Sequence, residues 1–141
     1  MSIWGIDKNG YLCIFELKAP GNKHLGIISE LFCYSAYAHD VLLNKLNKLN
    51  NNRLLHEPAK VNYRGYEKLY NAVKSGKIKG VNAFFLLPKD DGHPSIVKNM
   101  NKLREEMNNN SLKIDYDFLV YEPEIIDMIC INKTCEELVG K

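Results

Sequence analysis

Glu16 and Lys18 stand two residues apart in the stretch Tyr11-Leu12-Cys13-Ile14-Phe15-Glu16-Leu17-Lys18. On a β-strand, side chains two apart point to the same face. A carboxylate held there can ligate a hard cation. An ammonium beside it can orient or deprotonate a water, or offset negative charge that develops on an anion. By itself a Glu-x-Lys pair on a strand reads as an exposed ion pair. Glu30 and Tyr34 lie four apart, share one face of a predicted helix and can reach the same cleft. The plainer readings are a cap or salt bridge for Glu30 and an amphipathic core position for Tyr34.

The elements that must position these residues are legible in order. Residues 2–6 are short and apolar and predict a strand. Asp7-Lys8-Asn9-Gly10 is a hairpin signal, because Asn-Gly tolerates the positive φ of a tight turn. With Lys8-Asn9 as the turn, Asp7 pairs with Gly10 and Glu16 faces Met1 or Ser2. Tyr11 to Lys18 is the partner strand, stopped by Ala19-Pro20-Gly21-Asn22. A long helix is expected from Leu25 to about Leu49, with an apolar side through Ile28, Phe32 and Ala36. Tyr66, Leu69, Tyr70 and Val73 predict a short helix ending near Ser75-Gly76.

Val81 to Pro88 is a near-continuous apolar run, the pattern of a central strand covered on both faces. Pro94 opens a helix with the stripe Ile96, Met100, Leu103 and Met107. Ile114, Tyr116, Phe118 and Val120 alternate with polar positions as a half-buried strand. Residues 125–131 are apolar and fit a strand or a helix; the tail from Asn132 reads as a frayed helical turn. The expected class is α/β, a mixed central β-sheet flanked by helices, in one domain over residues 1–141.

The chain has 141 residues, 45% apolar and 26% charged, which is ordinary globular composition for a single core. A net charge of +2 permits nucleic-acid binding without arguing for it. No run is long enough to span a bilayer. The N-terminus lacks the pattern of a signal peptide. The four cysteines show no C-x-x-C spacing, and Cys13 and Cys33 sit in apolar segments. Packed, reduced thiols in a cytoplasmic protein are the expectation. The four histidines are too dispersed for a zinc cluster.

The phrase from Gly5 to Lys18, followed by a helix carrying Glu30-Leu31-Phe32-Cys33-Tyr34, resembles the PD-(D/E)xK nuclease superfamily. The likeness is to its RecB-type group, in which strand-E-x-K is followed by a helix with Q-x-x-x-Y. Here Glu30 stands where that pattern has Gln. The resemblance covers about the first third of the chain. It implies a restriction-endonuclease-like core and metal-dependent hydrolysis of DNA phosphodiesters. Glu16 would be a ligand to magnesium, with manganese as a substitute, and Lys18 the catalytic lysine. Glu30 and Tyr34 would support them.

The superfamily also places an Asp on the first hairpin strand, opposite the Glu of E-x-K. Asp7 does not meet that need: Glu16 lies six residues beyond its partner Gly10, about 20 Å along the strand. Ser2 occupies the aligned position. The expectation is a truncated nuclease or a relative with impaired metal binding, so cleavage should be weak or absent. The alternative is a non-catalytic module that keeps the fold and binds nucleic acid or protein. Lys23, Lys60, Arg64 and Lys68 are the candidate phosphate contacts, with 60–79 the best surface; its plainer reading is a solvated face. DNA is the expected partner, no membrane is expected, and a homodimer or protein partner is compatible.

Overall fold

The first hairpin sets the register of everything around the Glu-x-Lys pair. Strand β1 (Ser2–Ile6) runs antiparallel to β2 (Tyr11–Leu17), with Ser2 opposite Glu16 and Ile6 opposite Leu12. The turn holds three residues, Lys8-Asn9-Gly10, and Asp7 therefore faces Tyr11 rather than Gly10. Gly10 supplies the difference: its φ of +89° adds the left-handed residue that closes a three-residue loop. Asp7 is the keystone of this turn. Its Oδ1 accepts the N–H groups of Asn9 at 2.8 Å and Tyr11 at 2.9 Å.

In the computed structural model the residues described are 2–21, 26–43, 56–61, 64–89, 94–122 and 131–134. Helix α1 (Gly26–Tyr37) follows the hairpin and runs into a π-helical segment, Ala38–Leu43. A 3-10 turn at Pro58–Lys60 and helix α2 (Tyr66–Lys74) lead to strand β3 (Gly80–Pro88). Helix α3 (Pro94–Asn108) then leads to β4 (Asp115–Tyr121), and β5 (Ile131–Thr134) closes the sheet. The strand order is β1-β2-β3-β4-β5. The outer pairs are antiparallel, whereas β2, β3 and β4 run parallel. The class is thus α/β with a mixed sheet.

The register places Leu12 and Ile14, Val81, Ala83 and Phe85, and Tyr116 and Phe118 on one face of the sheet. These residues form one apolar cluster with Ile27 and Leu31 of α1 and Ile96, Met100 and Met107 of α3. Both helices therefore cover the same face. The expectation of a β3 buried on both faces holds only over its last four residues, Phe85–Pro88. On the other face Phe84 is half-buried and stacks on Phe15, with ring centroids 4.9 Å apart.

The long helix expected from Leu25 to Leu49 is not continuous α-helix. It widens after Tyr37, and Ala38 and Leu43, both packed on the core, stand at the i, i+5 spacing of a π turn. Positions 44–49 lie outside the described residues. The buried side is Ile27, Leu31, Ser35 and Ala38, one residue out of phase with the stripe read from Ile28, Phe32 and Ala36. Cys33, expected to be packed, is consequently exposed, whereas Cys13 is buried. Residues 131–134 form a strand, although a frayed helical turn was expected from Asn132. Residues 123–130 and 135–141 lie outside the described residues, and with them Cys130 and Cys135.

The asparagines after α3 are more than a polar loop. Asn108 donates to the Tyr116 carbonyl at 2.9 Å and accepts the Tyr116 N–H at 2.7 Å, as a neighbouring strand would. Asn110 does the same for Ile114, donating to its carbonyl at 2.8 Å and accepting its N–H at 3.1 Å. The two amides fix where β4 begins.

Candidate functional site

Alternation along β2 carries the Leu12 and Ile14 face on to Glu16, and the chain continues to Lys18. The carboxylate and the ammonium thus follow two core residues into a covered position: Glu16 is 1% exposed and Lys18 2%. Ionisable groups are rarely buried so completely, because removing charge from water is costly without compensating contacts. A surface ion pair does not describe them.

The backbone at Lys18 is held with equal care. Its N–H donates to the Leu86 carbonyl at 2.9 Å, which extends the parallel ladder one residue past β2. The ladder's next bond would run from the N–H of residue 88 to the Lys18 carbonyl. Residue 88 is proline and has no N–H. The hydroxyl of Tyr121, on β4, reaches the Lys18 carbonyl instead, at 2.7 Å. Two strands therefore fix the end of β2.

A cleft of about 980 Å³ opens along β1. Its floor includes Ser2, Trp4 and Leu12, and α1 contributes Tyr34 and Tyr37. Arg64, Tyr66 and Lys68, at and just before the start of α2, form another wall with His56. The Tyr66 hydroxyl donates to the His56 carbonyl at 2.8 Å, which ties these two segments together. Burial raises the Tyr66 pKa above its ordinary value, and the neighbouring Tyr37 and Tyr70 add to the shift. Ser2 links the cleft to the buried pair, because it lines the cleft and is the cross-strand partner of Glu16.

No family model, curated protein or solved structure matches the chain.

Of the residues singled out in the sequence, Tyr34, Arg64 and Lys68 meet around this cleft, and Glu16 adjoins it through Ser2. Glu30 is exposed one turn before Tyr34 on α1. Lys60 is exposed on the 3-10 turn and is not part of the cleft lining. Lys23 lies outside the described residues. His39 is partly buried, with Nδ1 2.7 Å from the Asp40 carboxylate. Trp4, Tyr37 and His56 were missed as site residues. Trp4 read only as part of a short apolar strand, and the others lie on segments that only the fold brings together.

The metal that the Glu-x-Lys resemblance implies does not fit what is described. Among the described residues no three His, Cys, Asp or Glu side chains are grouped to hold an ion. The cross-strand partner of Glu16 is Ser2, and a hydroxyl is a poor substitute for a carboxylate at a magnesium site. The arrangement supplies one acidic oxygen donor and a buried ammonium, with a basic, aromatic cleft that adjoins Glu16 through Ser2.

Proposed function

We propose that this chain is a restriction-endonuclease-like domain of the PD-(D/E)xK type that takes DNA into the cleft beside β1. Glu16 and Lys18 are the retained half of a phosphodiester-hydrolysing centre, and Tyr34, Arg64 and Lys68 contact the nucleic acid. One observation carries the reading: a Glu and a Lys are both buried at the end of β2, and Ser2, the cross-strand partner of Glu16, lines a cleft walled by Arg64 and Lys68. The mixed sheet supports it, since the hairpin strand bearing the pair runs parallel to the following strand. Cleavage by this chain is weak or absent, because Ser2 stands where a second carboxylate belongs.

That same serine favours a second reading, a nucleic-acid-binding module that keeps the frame without the chemistry. One experiment separates them: DNA binding and cleavage measured in magnesium and in manganese, for the natural chain and for Glu16→Ala and Lys18→Ala. Cleavage lost in both variants supports the incomplete nuclease. Salt-dependent binding with no cleavage supports the module. Robust cleavage that survives both substitutions removes Glu16 and Lys18 from the site, and failure to bind DNA at low salt ends both readings.

A further inference from the structure

We infer that the cleft accepts single-stranded rather than duplex DNA, and that it holds the strand by stacking bases on its aromatic rings. This rests on the reading that the cleft takes DNA. The composition of the walls is the argument. Trp4, Tyr34, Tyr37 and Tyr66 line one cavity together with Arg64 and Lys68. Tyr34 is 39% exposed and Tyr37 is 49% exposed, three residues apart on α1 and so on neighbouring positions of one face. Tyrosines this open, facing a cavity, leave large aromatic surfaces available.

A duplex hides the faces of its bases within the stack and presents phosphates and groove edges. Cleft aromatics gain little from it. A single strand offers base faces, and stacking on an aromatic side chain is worth ~1–3 kcal/mol per base. Its phosphates need a basic track alongside. Arg64 and Lys68 are four apart at the start of α2, and no carboxylate is among the cleft-lining residues described. At about 980 Å³ the cavity is too large for a single small anion and stands at the top of the usual range for ligand pockets.

Trp4 makes the test direct, because it is the chain's one tryptophan and its emission reports on the cleft floor. The full chain is titrated in chelator, without metal, with a short oligothymidylate, the same strand annealed to its complement, and an abasic sugar-phosphate strand of equal length. Oligothymidylate is expected to bind most tightly and to quench Trp4. The abasic strand binds about ten-fold or more weakly and leaves the emission unchanged. Tyr34→Ala brings the two affinities together. Lys68→Ala weakens both strands alike, keeps their ratio and lowers the salt slope by about 0.7. Duplex or abasic strands that bind as tightly as oligothymidylate, with Trp4 unquenched, overturn the inference while leaving DNA binding standing. Failure of every strand to bind overturns the proposed function as well.

Discussion

The hydroxyl of Tyr121 donates a hydrogen bond to the carbonyl oxygen of Lys18, 2.7 Å away and 103 positions earlier in the chain. It replaces a bond that Pro88 cannot make. Without it, a buried carbonyl at the end of β2 loses its donor, and an unsatisfied buried polar group costs about 1–3 kcal/mol. Tyr121→Phe is therefore expected to lower unfolding stability in urea by about 2 kcal/mol. Pro88→Ala restores an N–H at the ladder position, so Tyr121→Phe with Pro88→Ala should lose less than the sum of the two single changes. Strict additivity would show that the phenol does not stand in for the missing amide.

Glu16 and Lys18 are both buried, two positions apart along a ladder that continues to Lys18, and their energies are expected to be coupled. Removing one partner leaves the other charge in a covered site, which costs about 3–5 kcal/mol. Replacing both by apolar residues of similar volume removes the two desolvation penalties at once. Lys18→Met and Glu16→Leu are each expected to destabilise the chain by about 3 kcal/mol, and the double variant by less than either. Denaturant midpoints of the four chains complete the cycle. A double variant as unstable as the sum would mean that the two residues are buried independently.

Ser2 directly opposes Glu16, and opposed residues of an antiparallel pair have Cβ atoms ~4.5–5.5 Å apart on the same face. Ser2→Asp thus places a second carboxylate across from the first. The variant is expected to gain manganese binding, read as a manganese-dependent rise in thermal stability of about 2.7 kcal/mol at a hundred-fold excess over Kd. Ser2→Asp combined with Glu16→Gln should lose that gain. An equal manganese response in the natural chain would show that its metal site is not limited by Ser2.

Local chemistry made the hairpin legible. Asp7, Asn9 and Gly10 act within a few residues of one another, and alternation then carries the register from Gly10 to Glu16. The stripe of α3 was legible for the same reason, since Ile96, Met100 and Met107 need only helical spacing. Burial of the Glu-x-Lys pair was not, because it depends on what covers β2. Ser35 shows the limit plainly. It is fully buried, donates to the Leu31 carbonyl at 2.7 Å and lies 2.7 Å from the Tyr116 hydroxyl. No periodicity reports a polar partner 81 residues away. The cleft is of the same kind: β1, α1 and the start of α2 each bring one or two aromatics, and only the fold collects them.

Burial of the Tyr116 phenol also sets an alkaline limit on stability. Burial raises the Tyr116 pKa above its ordinary value, and the Ser35 hydrogen bond offsets part of that rise. The folded phenol then keeps its proton to higher pH than the unfolded one. Between the two values the unfolded chain binds fewer protons, so stability falls as pH rises. The contribution is complete below about pH 10 and is lost as pH climbs through the raised value. Tyr116→Phe keeps the ring against Phe32 and removes the proton. It is expected to be about 1 kcal/mol less stable than the natural chain near neutral pH, with the gap narrowing in alkali. Cys13 and Tyr66, also raised chiefly by burial, titrate in both chains and cancel from the difference. Urea midpoints of the two chains from neutral pH into the alkaline range give the result. A gap that stays constant with pH would remove Tyr116 as the titrating group.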